Sequence, residues 1–393
     1  MTFDVDVAVI GGGPAGATAA QVLAHEGREV LLLDREGRIK PCGGAIPTRA
    51  IRDYAIPPEM VVARVDAARV IAPSGREVEM TIGDIGYVGM VDRETFDPWL
   101  RMRAAAAGAR REVGTLDAME RLRGGGMRLR WTAKDGGARE ATARCVIGAD
   151  GANSAVRRHA FAASKKPPYV FAYHEIVESP PASEAFAPDR CDVVYDGVVS
   201  PDFYGWVFPH GAQTSVGCGS AVKGHSLKAA TAELRARSGL TDARTIRREG
   251  APLPLKPMKR WDDGRCIVLA GDAAGVVAPS SGEGIYYAML SGELCAEAAS
   301  AFLETGDARA LRQPRKRFMR EHGRIFFVLG LLQGIWYRSD RMREKFVKMC
   351  ADPDVQRLTW ESYLNKRLVR REPMAHLRVL AKDIRQLLSP AAR

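Results

Sequence analysis

A free cysteine in a glycine-rich segment is the most reactive feature of the sequence. Residues 40–47 read KPCGGAIP, so Cys42 is followed directly by Gly43 and Gly44. Because glycines carry no side chain, the backbone beside the thiol can lie against a large planar ligand. A free thiol has a pKa of about 8.5 and stays mostly protonated at neutral pH, so Cys42 can donate a proton. The alternative is a buried, inert cysteine, the usual role of this residue.

Three aromatic residues alternate along the segment FYGWVFP, residues 203–209. In an extended segment alternate side chains share a face, so Tyr204, Trp206 and Phe208 should point the same way. Their rings can line an apolar channel and stabilise transient positive charge by about 0.5–2 kcal/mol each. The alternative is a half-buried strand whose aromatic side chains fill a core.

Glycines near the start of the chain have the spacing of a dinucleotide-binding turn. Gly11, Gly13 and Gly16 follow a predicted strand at residues 5–10 and open a predicted helix. Gly11 would permit a tight turn, Gly13 would let the backbone approach a pyrophosphate, and Gly16 would let the helix pack closely. Asp34 ends the next strand, where a carboxylate can bind ribose hydroxyls.

Two further segments place an acidic residue after an apolar strand. They are GADG at 148–151, which contains Asp150, and AGDAAG at 270–275, which contains Asp272. Taken singly, each aspartate is more often an ordinary turn residue. In this order along the chain, they instead indicate a long cofactor that touches several strand ends.

A second glycine turn opens another predicted helix at GEGIYYAM, residues 282–289. Gly284 and Ile285 would present backbone N–H groups to the pyrimidine edge of a flavin, while Asp272 would hold ribityl and pyrophosphate oxygens. We therefore predict FAD as the cofactor. We also assign four flanking residues to its site: Ala15, Arg35, Pro41 and Gly282.

The elements between these motifs predict an α/β fold whose cofactor domain is dispersed along the chain. Short alternating segments with the turns RGGGM and KDGGA indicate antiparallel strands, and a helix is expected after Asp92. We predict an FAD-binding domain at 1–165 that closes at 261–305, an inserted antiparallel-sheet substrate domain at 166–260, and a basic helical region at 306–393.

The excess positive charge is confined to the C-terminal part. The chain of 393 residues has a net charge of +11, and residues 311–393 hold 20 Lys/Arg against 8 Asp/Glu. The segment IFFVLGLLQGIWY, residues 325–337, is too short to span a bilayer but could lie on an anionic membrane surface. The alternative is a core helix with solvated basic flanks. We expect no nucleic-acid partner.

Cysteine and histidine usage gives no sign of a metal or a disulfide framework. The seven cysteines are scattered without a CxxC pair, and the seven histidines show no ligand spacing. The first residues, MTFDVDVAVI, lack a basic segment and read as a strand. We therefore expect reduced thiols, no metal, and a cytoplasmic protein peripheral to the inner membrane.

The motifs together resemble those of a known flavoprotein group. The order GxGxxG, DG, GD resembles the FAD-dependent group that includes the aromatic hydroxylases, whose Rossmann-like cofactor domain is called GR2-type. The detail is similar to its geranylgeranyl reductase family, in particular the branch of bacteriochlorophyll and chlorophyll synthesis. The segments that carry this resemblance are KPCGGAIP, MVDRETFD, PDFYGWVFP, LAGDAAGVVAPSSGEGIYYAM and DPDVQRLTWESY.

The resemblance implies a function. Members of that family reduce isolated double bonds of a geranylgeranyl chain to give phytyl, using NADPH through FAD. It implies that Arg93 contacts the FAD phosphates and that residues 201–209, Pro209 included, bind substrate. It also makes Cys42 a proton donor or part of the pocket wall. Hydroxylases of the group usually have histidine where this chain has Gly275, which favours the reductase.

Several alternatives stay open at this point. The substrate is a geranylgeranyl diphosphate, a pigment ester or another polyprenyl lipid, and a flavin monooxygenase or a non-enzymatic membrane-binding module is a further alternative. The chain has no second GxGxxG turn for NADPH, so its phosphate site is not located. Association with pigment-synthesis enzymes is a further expectation.

Overall fold

The chain divides into two compact units in a computed structural model that describes residues 2–35, 37, 39–161 and 166–366. Unit 1 comprises Met1–Ile39, Glu94–Tyr169 and Leu253–Arg324, and unit 2 comprises Lys40–Arg93, Val170–Pro252 and Ile325–Arg393. The end of the predicted basic region, residues 367–393, lies outside the described residues.

The strands are numbered in chain order. They are β1 (Val5–Ile10), β2 (Val30–Asp34), β3 (Ala45–Pro47), β4 (Ala63–Val65), β5 (Ala67–Ile71), β6 (Glu77–Thr81), β7 (Val88–Met90), β8 (Arg110–Arg121), β9 (Met127–Ala133), β10 (Ala138–Gly148), β11 (Tyr169–Glu178), β12 (Arg190–Val194), β13 (Gly205–His210), β14 (Gln213–Ser220), β15 (Thr245–Pro254) and β16 (Ile267–Leu269).

The helices are numbered in the same way. They are α1 (Pro14–His25), α2 (Thr48–Asp53), α3 (Arg93–Ala106), α4 (Ala155–Ala160), α5 (Leu227–Arg237), α6 (Ile285–Thr305), α7 (Gln313–Trp336), α8 (Asp340–Met349) and α9 (Pro353–Asn365). Short 3₁₀ turns occur at Pro58–Met60, Gly83–Ile85, Gly271–Ala273 and Ala308–Arg312. In the described part of the chain, no helix combines the length and the apolar character needed to cross a membrane.

Unit 1 is built on a mainly parallel sheet. Strands β8, β2, β1, β10 and β16 pair in that order, all in parallel. β9 pairs in antiparallel fashion with the C-terminal part of β8 and the N-terminal part of β10. β1 and β2 are almost wholly buried, as expected for parallel strands covered on both faces. The strand order reverses at β1, and ligands bind beside such a reversal at the carboxyl ends of the strands.

Unit 2 contains a seven-stranded sheet, in the order β15-β11-β14-β13-β12-β5-β6, and a three-stranded sheet, β3-β7-β4. β11, β14, β13 and β12 pair in antiparallel fashion, whereas β12 and β5 are parallel. One face of the larger sheet packs into an apolar core with α5, where Val207 and Val216 contact Leu234 and its neighbours.

A buried arginine joins the C-terminal helices of unit 2 to the loop before β13. Arg343 on α8 donates to the backbone carbonyls of Ser200 (3.2 Å), Pro201 (2.5 Å) and Tyr337. Its other terminal nitrogen donates to Asp340, 2.6 Å away. Because one guanidinium bonds two successive carbonyls of the loop and one at the end of α7, Arg343 holds the loop that leads into the aromatic segment.

The predicted fold class is confirmed. The structure has a Rossmann-like parallel sheet, a mostly antiparallel second sheet and C-terminal helices, as expected. α3 starts directly after Asp92, and RGGGM forms the turn between β8 and β9. The units differ from the predicted boundaries because residues 40–93 contribute β5 and β6 to the second sheet.

Candidate functional site

The three spaced glycines of unit 1 are glycines for three different reasons. Gly11 has a φ of +103°, and a Cβ there would overlap the carbonyl of Ala149. A Cβ on Gly16 would overlap the carbonyl oxygen of Gly11. By contrast, a Cβ on Gly13 would meet no protein atom within 4 Å. The turn therefore needs the first two glycines for its own packing, and the open side of Gly13 is free for a ligand.

The predicted ribose-binding carboxylate is held by a neighbour that sequence reasoning missed. Asp34 lies 3.1 Å from the guanidinium of Arg101, which also donates to the carbonyl of Gly12 at 3.3 Å. A Cβ on Gly12 would lie 2.8 Å from the Asp34 carboxylate, so that glycine is required as well. No spacing rule joins α3 to the end of β2, and for that reason the sequence did not reveal Arg101.

Asp150 has one oxygen bound within the protein and one without a partner. Its Oδ2 accepts hydrogen bonds from the backbone N–H groups of Ala155 (2.6 Å) and Val156 (3.2 Å) at the start of α4. Its Oδ1 is buried and has no hydrogen-bond partner among the described residues. The aspartate is thus a helix-capping residue, as the alternative interpretation held, and it also offers a buried acceptor to a ligand hydroxyl.

The turn that contains Asp272 packs against the first glycine turn. Asp272 is buried in the 3₁₀ turn after β16. The preceding Gly271 has a φ of +60° and donates its N–H to the Ser291 hydroxyl at 2.9 Å. A Cβ on Gly271 would lie 2.9 Å from Cβ of Ala15 on α1. The structure therefore brings together motifs that are far apart in the sequence.

The second glycine turn begins α6 as predicted, although three residues later. Gly282 has a φ of +65°, Gly284 caps the helix and Ile285 is its first residue. Glu283 accepts a hydrogen bond from the backbone of Tyr286 at 2.8 Å. This arrangement leaves the N-terminal backbone of α6 in the geometry that favours an anionic or carbonyl-bearing ligand.

Gly275, the departure from the hydroxylase pattern, has a structural cause. It has a φ of +83°, and a Cβ there would overlap the backbone carbonyl of Lys256. The backbone of a histidine at this position would be strained even if its ring had enough space, because side chains disfavour a positive φ. The close approach of the Lys256 backbone therefore explains the glycine.

Three other predicted cofactor residues lie outside these turns in the chain. Arg93 is buried at the start of α3, and both Arg93 and Pro41 belong to unit 2. Arg35 follows β2 in unit 1 and is exposed. Their assignment to the cofactor stays a prediction.

The aromatic residues of β13 share one face of the larger sheet in unit 2. The ring centroids of Tyr204 and Trp206 are 6.1 Å apart, and those of Trp206 and Phe208 are 6.3 Å apart. Tyr204, Trp206 and Pro209 are buried, whereas Phe208 is half-buried. The predicted alternation is confirmed, because Val207 faces the opposite side, into the apolar core.

The loop of Cys42 lies on this same aromatic face. A Cβ on Gly43 would be 3.1 Å from the ring of Phe208, and a Cβ on Gly44 would be 2.5 Å from Nε2 of His210. Gly44 also has a φ of +71°, and its N–H donates to Sγ of Cys42 at 3.4 Å. Packing within unit 2 therefore requires Gly44, and a side chain on Gly43 would crowd the ring of Phe208. Their predicted contact with a cofactor ring stays a prediction.

Two polar side chains of this face, Tyr204 and His210, are uncharged at neutral pH. Burial raises the pKa of Tyr204 well above its ordinary value, and the nearby Tyr337 and Cys42 raise it further. Burial lowers the pKa of His210 to about 4, against the opposing effect of Asp92. Both side chains are thus neutral at neutral pH, and the half-buried Cys42 thiol lies beside them.

Sequence reasoning missed His210 and His174, which also belong to this face. His210 ends β13, and His174 lies on β11 with its ring centroid 6.2 Å from that of Trp206. Period-two alternation could have found His210, because it continues the series of Trp206 and Phe208.

Among the residues that the structure describes, His, Cys, Asp and Glu form no group of three or more that could hold a metal ion.

Comparison with known proteins finds one matching family model and relatives that are named as reductases. The family model described as "Lycopene cyclase protein" matches residues 6–379. The chain is 53% identical over 383 residues to a geranylgeranyl diphosphate reductase of Rhodobacter capsulatus, covering 97% of each chain. It is 31% identical to digeranylgeranylglycerophospholipid reductase 2 of Methanopyrus kandleri, covering 82% of this chain and 84% of that one.

A solved structure has the same fold. The geranylgeranyl bacteriochlorophyll reductase-like protein of Thermoplasma acidophilum superposes with a TM-score of 0.81 at 21% identity. The superposition covers 96% of this chain and 99% of the other. At this identity the likeness shows the fold alone.

Proposed function

Because the chain belongs to the geranylgeranyl diphosphate reductase family and matches the lycopene cyclase family model, we propose that it saturates isolated double bonds of a geranylgeranyl chain to give phytyl. The observation that carries this proposal is the aromatic face of unit 2 with the Cys42 loop on it. An unactivated alkene needs such a surface, because it offers no polar group for an enzyme to bind.

FAD is the cofactor that the residues of unit 1 fit. The open side of Gly13 allows a pyrophosphate to approach the start of α1, and the unpartnered Oδ1 of Asp150 can accept from a ligand hydroxyl. Asp34 would bind the adenosine ribose, and the backbone at Gly284 would bind the ring edge. FAD supplies hydride-transfer chemistry when bound, and we propose NADPH as the source of its electrons.

The residues of unit 2 would supply the rest of the reaction. Saturating an alkene adds one hydride and one proton, and the thiol of Cys42 would donate the proton to one alkene carbon. Solvent would then reprotonate the thiolate, so the residue returns to its starting state. The rings of Tyr204, Trp206 and Phe208 would stabilise positive charge on the neighbouring carbon and exclude water.

Substrate-dependent oxidation of NADPH under anaerobic conditions tests this function. The purified holoenzyme should oxidise more NADPH than its bound FAD can accept only when a geranylgeranyl substrate is present, since no other electron acceptor then remains. A flavin monooxygenase would instead need oxygen, and substrate would stimulate oxygen uptake. Oxidation that requires oxygen and yields a hydroxylated product would contradict the proposal.

A specific observation favours a second candidate substrate, a polyprenyl membrane lipid. The relative in Methanopyrus kandleri is named for such a lipid and is similar over most of this chain. We propose geranylgeranyl diphosphate in preference, because the identity to the geranylgeranyl diphosphate reductase of Rhodobacter capsulatus is higher. The pathway of bacteriochlorophyll or chlorophyll is proposed from the resemblance of the sequence motifs. Parallel reactions with the diphosphate, the pigment ester and a geranylgeranyl glycerophospholipid would rank the three by kcat/KM.

We also propose that α7 lies against an anionic membrane surface. Phe327, Val328 and Leu331 on this helix are 73%, 38% and 52% exposed, although Phe326 is buried. This segment therefore has a buried side and an exposed apolar side, and the exposed side supports the membrane proposal. Exposed cations follow at Arg338 and Arg341, the arrangement expected for binding to anionic lipid headgroups.

Sedimentation with lipid vesicles tests the membrane proposal. The wild type should sediment with phosphatidylglycerol vesicles and much less with neutral phosphatidylcholine vesicles. Replacing Phe327, Val328 and Leu331 by serine should abolish sedimentation. A matched control replaces Val198 and Val222 by serine, because these residues of the same unit are 60% and 49% exposed. This control should sediment like the wild type. Equal loss in both variants would contradict a specific role for α7.

A further inference from the structure

We propose that Ser215 and His174 are positioning residues that fix the indole of Trp206 on the aromatic face. The inference rests on the proposed reductase function, since it concerns the ring that would face the prenyl chain. It assigns a role to two buried polar residues, 0% and 3% exposed, that the mechanism above does not use.

Strand register places the three residues together. Trp206 on β13 is opposite Gly217 on β14, which in turn is opposite His174 on β11. Ser215 lies two residues from Gly217 and therefore on the same face. A Cβ at Gly217 would overlap that of His174, so the glycine is what lets the histidine approach the indole.

A continuous chain of hydrogen bonds joins the indole to an ion pair. Nε1 of Trp206 donates to Oγ of Ser215 at 3.0 Å, and Nδ1 of His174 lies 2.9 Å from the same oxygen. Nε2 of His174 lies 3.0 Å from Oε2 of Glu249. Oε1 of Glu249 pairs with Nε of Arg247 at 2.9 Å.

The chemistry of the groups permits one direction for this chain with a neutral imidazole. The ionised carboxylate of Glu249 can only accept, so Nδ1 of a neutral His174 is left as an acceptor and the hydroxyl of Ser215 donates to it. Nε2 of His174 then carries the ring hydrogen and donates to the carboxylate of Glu249. Ser215 and His174 are thus each both a donor and an acceptor, and rotating the indole would leave this chain without its first donor.

The consequence for the proposed reaction concerns the polarity of the ring. The edge of an indole is positive at N–H, and its face is negative. Because Ser215 holds the N–H within the sheet, that positive edge cannot turn towards a carbon that gains positive charge. The ring face stays available to stabilise this charge, and losing the fixed orientation should slow the reaction about tenfold.

The indole N–H resonance of Trp206 tests the network in the holoenzyme. It is assigned in protein labelled with ¹⁵N-tryptophan as the signal that Trp206→Phe removes. Ser215→Ala should move the signal upfield and speed its exchange with solvent, and His174→Asn should do the same to a smaller extent. Ser179→Ala is the matched control, because it breaks another hydroxyl pair of the unit, the 2.8 Å bond to Thr214. The control should leave the signal unchanged.

The same variants are then assayed with geranylgeranyl diphosphate. Ser215→Ala should lower kcat about tenfold with little change in KM and accumulate partly reduced products. Ser215→Thr keeps the hydroxyl and should restore both the resonance and kcat. An unmoved resonance in Ser215→Ala, or a moved resonance with wild-type kcat and products, would overturn the inference while the reductase function stands. A wild type that reduces no prenyl chain would overturn both.

Discussion

Unit 1 and unit 2 use opposite means to prepare for their proposed ligands. Unit 1 offers backbone, because glycines such as Gly11, Gly13 and Gly16 remove side chains where strand ends meet. Unit 2 offers side chains, because Trp206 and Phe208 cover one face of its sheet. The comparison teaches that unit 1 should lose its fold or its cofactor when a substitution adds side-chain atoms at a glycine. Unit 2 should lose activity or stability when a substitution removes side-chain atoms.

Adding a methyl group in unit 1 should have the largest effect of any change considered. In Gly16→Ala the new Cβ overlaps the carbonyl oxygen of Gly11, so α1 cannot keep its place. We expect no folded, yellow protein, measured by soluble yield and by flavin absorbance.

Gly13→Ala is the matched control for this prediction. Its Cβ meets no protein atom within 4 Å, so the variant should fold with a wild-type Tm. It should nevertheless bind FAD more weakly, since the methyl group occupies the side proposed for the pyrophosphate. Equal behaviour of the two variants would contradict the distinction between packing and ligand-binding glycines.

Removing the thiol in unit 2 should abolish most activity without loss of FAD. Cys42→Ala should lower kcat at least about a hundredfold, because general acids contribute at least that much. Cys218→Ala, on the core face of the same sheet, removes a buried thiol whose pKa burial raises to about 11. This control should keep full activity. If Cys42→Ala were equally active, the proton donor would have to be another group.

Removing the arginine that anchors the loop before β13 should destabilise the protein by about 3 kcal/mol. Arg343→Ala leaves the buried carbonyls of Ser200 and Pro201 without their donor. Urea unfolding measures the loss. The exposed Arg341 on the same helix is the matched control, and Arg341→Ala should change stability little. Similar losses in both would show that the loop does not depend on Arg343.

The half-buried His210 predicts a smaller, pH-dependent effect. Its pKa is lowered to about 4 in the folded protein from an ordinary value of 6.5. As the pH falls below 6.5, the unfolded chain takes up a proton that the folded protein refuses. Stability should therefore decrease with falling pH, by about 2 kcal/mol, until the pH reaches the folded pKa.

His210→Gln removes this titration and tests the prediction. Between neutral pH and pH 4, the unfolding free energy of the wild type should fall by about 2 kcal/mol more than that of the variant. Parallel curves would show that His210 is protonated equally in both states. The neutral environment that we describe for the Cys42 loop would then be wrong.

The sequence predicted unit 1 more completely than unit 2, and the reason is physical. Gly11, Asp150 and Asp272 each follow a buried strand, and the carboxyl ends of parallel strands meet at one edge of a sheet. Local pattern therefore predicted their convergence, which the structure confirms. Arg101 was missed, because it reaches Asp34 through the packing of α3 and not through sequence spacing.

In unit 2, alternation predicted which aromatic residues share a face but not what they contact. The packing of Gly44 on His210 and the bond from Trp206 to Ser215 depend on the register of strands distant in sequence. Register across a mostly antiparallel sheet is not encoded in any short motif. For this reason the support of the aromatic face emerged only from the structure.

The masses of the products of an anaerobic reaction test the central claim most directly. Purified holoenzyme would be incubated with NADPH and geranylgeranyl diphosphate, and the prenyl products weighed by mass spectrometry. The account predicts gains of two, four and then six hydrogens, with Cys42→Ala giving almost none. Unchanged substrate, or a product heavier by one oxygen atom, would contradict it.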